Sequence, residues 1–110
     1  MSRFSQYRIM WIFVFFDLPT ETPEERKTHA GFRKSLLKDG FTMMQYSVYM
    51  RHCSSDENAK VHEERVKKWL PEKGHVAMMK VTDRQFGMMQ LFYGSQKAKP
   101  PKATAQLTLF

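Results

Sequence analysis

The chain has 110 residues, of which 18 are Lys or Arg and 11 are Asp or Glu, so its formal net charge is +7. This length suits one compact domain with a modest core, and the apolar fraction of 42% excludes a disordered chain. The single cysteine excludes an internal disulfide, and together with the four histidines it does not supply a zinc-finger framework.

The longest apolar run, residues 9–16, predicts a buried strand. Its eight residues are far too few to cross a membrane as a helix, and no signal-peptide pattern precedes them. We therefore expect a cytoplasmic protein with no membrane partner. Because the run does not alternate, the strand is covered on both faces, or by helices on one face and by a partner subunit on the other. Pro19 ends it.

A capping box marks the start of the first predicted helix, which occupies residues 22–39. Thr22 caps the helix, Pro23 takes its first position, Glu25 closes the box, and Gly40 forms the C-cap. The periodicity gives two stripes on this helix. One contains Ala30, Arg33 and Leu37, with Phe32 and Leu36 beside it; the other, which we expect to face water, contains Lys27, Lys34 and Lys38.

The middle of the chain predicts extended structure and a second helix. Residues 41–51 are expected to be extended, with a break or bulge at residues 45–47. The second helix begins at the capping residues 54–57 and ends at Pro71. We predict His62 on the polar side of this helix, and none of the four histidines has the spacing of a metal-ligand set.

The elements complete an α+β, ferredoxin-like βαββαβ pattern with an extra C-terminal strand or strands. After the second helix we predict a strand, a short capped turn and a further extended stretch, at residues 75–81, 82–86 and 88–93. The domain then occupies residues 9–94, a basic linker rich in Pro and Lys occupies 95–104, and a C-terminal strand occupies 105–110. We expect this last strand to pair with a sheet edge of another protomer or another protein.

One face of such a sheet is covered by both helices and the other is open. In this chain the open face is rich in Met, Tyr and Phe, which favours a partner. A two-fold homodimer is the simplest way to bury that face.

Positive charge is concentrated in one segment. Residues 26–51 carry six cationic side chains against the single acid Asp39. These cations are the candidates for phosphate contacts with nucleic acid: Arg26, Lys27, Arg33, Lys34, Lys38 and Arg51. The alternative interpretation is a solvated surface that only keeps the protein soluble. Arg33 is the least certain candidate on the helical pattern, because its stripe can also face the core.

Asp17 is the strongest candidate for chemistry. It is the first acid in the chain and follows the most buried strand, where a carboxylate is costly unless it is hydrogen-bonded, paired or metal-bound. If two protomers meet along their sheets, two copies of Asp17 can share Mg²⁺, which accepts carboxylates and retains water. Metal-bound water can hydrolyse a phosphodiester. The alternative is that Asp17 caps the Pro19 turn or the first helix.

Several motifs in order resemble the CRISPR-associated endoribonuclease family, the smaller of the two universal spacer-acquisition proteins. The amino-acid sequences of these motifs are most similar to those of the type II branch of that family. The motifs are Phe15-Phe16-Asp17-Leu18-Pro19, Gln45-Tyr46-Ser47-Val48-Tyr49 and Val81-Thr82-Asp83-Arg84-Gln85-Phe86.

The resemblance implies a ferredoxin-like symmetric homodimer that bridges two dimers of the CRISPR integrase. Such a bridge holds a short prespacer DNA duplex for insertion into the repeat array. The resemblance also implies a Mg²⁺-dependent nuclease acting on DNA or RNA, in which Asp17 is the catalytic metal ligand. The C-terminal strands of the family complete a neighbouring protomer's sheet or dock the integrase.

Two departures from the family pattern separate the scaffold role from the enzymatic one. Some nuclease-active relatives have an arginine where this chain has Met43 and Met44, and a tyrosine often stands where it has Phe16. We therefore expect a DNA-binding scaffold with weak cleavage at best. A third hypothesis is an unrelated ferredoxin-like nucleic-acid-binding domain or a toxin-type ribonuclease.

Overall fold

A computed structural model describes residues 9–98, and its elements follow the predicted βαββαβ order. In chain order they are β1 (Met10–Asp17), α1 (Pro23–Lys38), β2 (Thr42–Gln45), β3 (Val48–Cys53), α2 (Asp56–Lys68), β4 (His75–Thr82), α3 (Asp83–Gly87), β5 (Leu91–Tyr93) and β6 (Gln96–Ala98). The main sheet has the strand order β2-β3-β1-β4, and every pairing in it is antiparallel. The predicted fold class is confirmed.

Strand β1 lies at the centre of the sheet and is buried on both faces, as its apolar run predicts. Its side chains alternate between two clusters because successive residues of a strand point to opposite faces. Ile12 and Val14 join the cluster under α1 and α2, whereas Trp11 and Phe13 join a second cluster with Phe86 of α3. The ring of Phe86 stacks on Trp11 with centroids 3.8 Å apart. The chain's own short helix therefore covers part of the second face.

Helix α1 begins and ends where its caps predict. Thr22 accepts a hydrogen bond from the Glu25 backbone, and the Glu25 side chain accepts bonds in return, which completes the capping box. Asp39 is the C-cap, and Gly40 adopts a φ of +93°, a conformation that side chains disfavour.

The buried stripe of α1 differs from the principal predicted stripe. Phe32 and Leu36, one helical turn apart, are the buried residues, whereas Ala30, Arg33 and Leu37 are exposed. Apolar residues spaced by three or by four positions both form a stripe along one side of a helix, so the sequence pattern allows more than one rotation. The packing of Phe32 and Leu36 on the sheet sets the rotation of α1. Arg33 is thus available to solvent.

The predicted break near residues 45–47 is a hairpin turn between β2 and β3. Gln45 pairs with Val48, so Tyr46 and Ser47 form the two-residue connection. Ser47 has a φ of +64°, a left-handed conformation that a β-turn can place at its second central residue. Tyr49 follows in β3 and is fully buried, so it packs the core and contacts no ligand.

The C-terminal part of the described chain forms a separate two-stranded hairpin of β5 and β6. Gln96–Ala98, which the sequence assigns to the linker, form β6 because they pair with β5. The rest of the linker, residues 99–104, and the predicted strand 105–110 lie outside the described residues. Within residues 9–98, no helix has both the length and the apolar character to cross a bilayer.

Candidate functional site

Asp17 is the last residue of β1, and its side chain is exposed. The next residue, Leu18, is buried, and Gly74 packs against this end of the strand. A Cβ at position 74 would lie 2.7 Å from the Asp17 carbonyl oxygen, and the φ of Gly74 is +93°. Only glycine therefore allows the loop before β4 to close on the strand end. The packing of Gly74 and Leu18 therefore fixes the backbone from which the Asp17 carboxylate projects.

An open depression of about 500 Å³ surrounds this carboxylate. Ser47 from the hairpin turn and His75, the register partner of Asp17 on β4, line it together with Asp17. The Phe16 backbone N–H donates to the Ser47 carbonyl at 3.1 Å, which ties the turn to the end of β1. The depression is thus formed by three adjacent strands.

The Asp17 carboxylate has no hydrogen-bond or ion-pair partner among residues 9–98. The cap of α1 is Thr22, so the alternative in which Asp17 caps this helix is wrong. The same residues contain no cluster of three or more His, Cys, Asp or Glu side chains that could hold a metal. One carboxylate is by itself an incomplete protein site for Mg²⁺, which is usually bound by one or two carboxylates and keeps several waters.

The cations predicted to bind nucleic acid fall into two groups. The first, which we call the α1 basic face, is exposed and has no carboxylate partner within the described part of the chain; it contains Lys27, Arg33, Lys34 and Lys38. The second donates to backbone carbonyls. Arg26 is exposed but binds the carbonyls of Thr20 and Glu21 at 3.1 and 2.9 Å.

Arg51 belongs to the second group and lies at the other end of α1. Its Nε donates to the Asp39 carbonyl and its Nη1 to the His52 carbonyl, each at 2.7 Å. A Cβ at Gly40 would meet this guanidinium at 3.1 Å, so the glycine makes room for it. Arg51 thereby fixes the C-terminus of α1 on β3. Its main contribution is to hold the helix that carries the α1 basic face, and not to add a further cation to that face.

A buried charge cluster near Arg51 was missed by the sequence analysis. His62 is only 5% exposed, so its predicted place on the polar side of α2 is wrong. Its Nδ1 lies 2.6 Å from one Asp39 carboxylate oxygen, and Arg65 donates to the other oxygen at 2.6 Å. His62 follows the buried Ala59 by three residues and precedes the buried Val66 by four, a spacing that could have revealed its burial.

Replacing Asp39 by Asn tests whether this cluster stabilises the fold. Asp39→Asn keeps the shape of the side chain but removes the charge that pairs with His62 and Arg65, and it should lower the free energy of unfolding by about 2 kcal/mol. Urea titration followed by tryptophan fluorescence measures the change. As a control, Glu64→Gln removes one carboxylate from the exposed pair with Lys67 and should leave the urea midpoint unchanged. Equal shifts for both variants would contradict the assignment.

Burial shifts the pKa of two further titratable groups, which lie in β3. It lowers the pKa of His52 and raises the pKa of the Cys53 thiol. Burial therefore disfavours the thiolate form of Cys53, which is the nucleophilic form.

Comparison with known proteins identifies the family of this chain. The family model described as CRISPR associated protein Cas2 matches residues 10–89. The CRISPR-associated endoribonuclease Cas2 of Flavobacterium psychrophilum is 55% identical over 109 residues, which cover 99% of this chain and 95% of that protein.

Two further relatives carry the same name. The Cas2 endoribonuclease of Parvibaculum lavamentivorans is 50% identical over 101 residues, covering 92% of this chain and 100% of that protein. That of Ligilactobacillus salivarius is 41% identical over 100 residues, covering 91% and 98%. This chain belongs to the Cas2 family of CRISPR-associated proteins.

Proposed function

We propose that this chain is a homodimeric scaffold of CRISPR spacer acquisition that binds prespacer DNA and bridges dimers of the CRISPR integrase. The observation that carries this proposal is the α1 basic face, whose four cations point to solvent without a carboxylate partner among residues 9–98. The amino-acid sequences of the motifs support assignment of the chain to the type II branch of the family. Membership of the Cas2 family excludes the hypothesis of an unrelated ferredoxin-like domain.

The sheet face opposite α1 supports the homodimer. Phe15, Val81 and Met89 are only partly buried there, and Met79 is 47% exposed. Together with Phe13, Met44 and Phe86 they line an apolar depression of about 260 Å³. A second copy related by a two-fold axis would cover this face with the same apolar surface. The two basic faces would then lie on the outer sides of the dimer, where a DNA duplex can reach them.

Phosphate contacts from these basic faces suit the scaffold role. Lysine and arginine side chains on the phosphate backbone position a duplex without reading its sequence, and prespacers have arbitrary sequences. Two-fold symmetry supports the proposed integrase bridge, because a symmetric dimer would present two equivalent surfaces to two copies of a partner.

A second candidate function is Mg²⁺-dependent cleavage of DNA or RNA at Asp17. The observation that favours it is the exposed carboxylate with no partner in the described part of the chain. When bound there, Mg²⁺ would supply an acidified water and offset charge on a phosphodiester. Asp17 would hold and orient the hydrated ion. Among the described residues His75 is the one other titratable side chain that lines the depression, and it would serve as the general base. The departures from the family pattern at Met43, Met44 and Phe16 lead us to expect slow cleavage.

Replacing Asp17 by Asn separates the two functions. Asp17→Asn should abolish Mg²⁺-dependent cleavage, because the amide cannot hold the ion, and should leave prespacer binding and spacer acquisition unchanged. Cleavage is measured on labelled DNA and RNA with Mg²⁺ or with a chelator, and acquisition by array expansion in cells. Integrase binding by size-exclusion chromatography serves as the control. Loss of acquisition with dimer and integrase binding intact would overturn the scaffold assignment.

A further inference from the structure

An exposed aromatic ring next to α1 has no function assigned to it. Tyr46, on the turn between β2 and β3, is 76% exposed. Its ring stacks on that of His29 from α1, with centroids 6.0 Å apart and planes 22° apart. His29 in turn packs against the buried Phe16, with ring centroids 5.6 Å apart. The tyrosine is therefore supported from below while most of its surface remains in water.

The ring lies on the α1 side of the sheet. Phe16, on which His29 packs, joins the cluster under the two helices, whereas Asp17, the next residue of β1, points to the opposite face. The Tyr46 ring is therefore separate from the Asp17 depression, although both are tied to the end of β1, where the Phe16 backbone N–H donates to the Ser47 carbonyl at 3.1 Å.

Cationic side chains flank the supporting histidine on α1. Arg26 precedes His29 by three residues and Arg33 follows it by four, so both lie on its side of the helix. Arg33 is exposed and has no carboxylate partner within residues 9–98. Single-stranded nucleic acid is bound by exposed aromatic rings, through base stacking, together with cationic side chains, through phosphate contact. The Tyr46 ring on His29 and the Arg33 side chain, one helical turn after His29, bring both kinds of group to this side of α1.

We propose that Tyr46, supported by His29, is a stacking platform for an unpaired nucleobase, with Arg33 on the adjoining phosphate. The inference rests on the proposed nucleic-acid binding and adds to it a preference for substrates with a single-stranded end. A paired base in a duplex cannot reach the ring without leaving its stack, so a blunt duplex gains nothing from the platform. Stacking is tolerant of sequence because every base presents a π face.

The test uses the full-length protein and four probes: a blunt duplex, the same duplex with a DNA overhang or an RNA overhang, and a DNA overhang carrying 2-aminopurine. Tyr46→Ala should weaken overhang binding about tenfold and leave blunt-duplex binding unchanged. Tyr46→Phe should bind as the wild type does, and Tyr46→Leu should resemble Tyr46→Ala. In the wild type and in Tyr46→Phe, 2-aminopurine fluorescence should be quenched on binding, and this quenching should be absent in the other two variants.

The probes separate the possible outcomes. A loss confined to one overhang identifies DNA or RNA as the source of the base, and either result supports the platform. Equal overhang affinity in the wild type and Tyr46→Ala, or retained affinity in Tyr46→Leu, overturns it. If the wild type binds no probe at all, the proposed nucleic-acid binding fails instead. Because Tyr46→Phe and Tyr46→Leu both keep a large apolar side chain on the turn, their comparison tests stacking even if Tyr46→Ala is unstable.

Discussion

Met79→Glu is expected to convert the dimer into a folded monomer. Met79 of β4 lies on the sheet face opposite α1 and pairs in register with Phe13. The proposed dimer would bury it there. Fully burying a methionine side chain is worth about 1.5–3 kcal/mol, so the exposed half of Met79 contributes about 0.7–1.5 kcal/mol, and two-fold symmetry counts this loss twice. A buried, unpaired carboxylate adds a further penalty. The dimer dissociation constant should therefore rise by more than about a hundredfold, while the monomer fold stays intact.

Val61→Glu is the matched control for this variant. Val61 is 48% exposed, almost the same as Met79 at 47%, but it lies on α2, on the other side of the sheet. It should leave the dimer unchanged. Light scattering coupled to size exclusion at micromolar concentration gives both masses, and circular dichroism confirms folding. A monomeric wild type, or a dimeric Met79→Glu, would show that this face is not the dimer interface.

Removing two lysines from the α1 basic face should weaken duplex binding strongly and equally across sequences. In Lys34→Gln/Lys38→Gln the dimer loses four charges that have no carboxylate partner among residues 9–98. Each lost phosphate contact lowers the slope of log affinity against log salt by about one, so the slope should fall by about two to four. At moderate salt this corresponds to an affinity loss of about a hundredfold or more. Fluorescence anisotropy over a salt series measures both quantities.

A second double variant with the same net charge provides the control. Lys60 and Lys67 on α2 form ion pairs with Asp56 and Glu64, so their charges are already compensated. Lys60→Gln/Lys67→Gln should change the salt slope by less than one. If both double variants weaken binding equally, the protein responds to its net charge alone, and the assignment of the interface to α1 is wrong.

The features that the sequence predicts correctly depend on local chemistry. The capping box of Thr22 and Glu25, the turn at Gly40 and the buried run of β1 each involve residues close together in the chain. The open sheet face could also be anticipated, because right-handed crossover connections place both helices of a βαββαβ pattern on the same face of the sheet. The position of Asp17 at a strand end follows from Pro19 and the end of the apolar run.

The features that the sequence does not predict depend on residues far apart in the chain. His62 is buried because Asp39, 23 residues before it, supplies its partner. Arg51 donates to the end of α1, twelve residues before it, although charge counting groups it with the cations on the helix surface. Periodicity left the rotation of α1 open, and the contacts of Phe32 and Leu36 with the sheet decide it.

Strand β1 carries both hydrophobic clusters along its length and Asp17 at its end. Asp17 is therefore attached to the end of a strand that packs on both faces and not to a loop that can adjust by itself. In a dimer, the spacing between the two Asp17 backbones is set by how the two sheets dock. A change in that backbone spacing requires the whole protomers to rotate or slide, so a partner bound to both protomers on their α1 sides can control it.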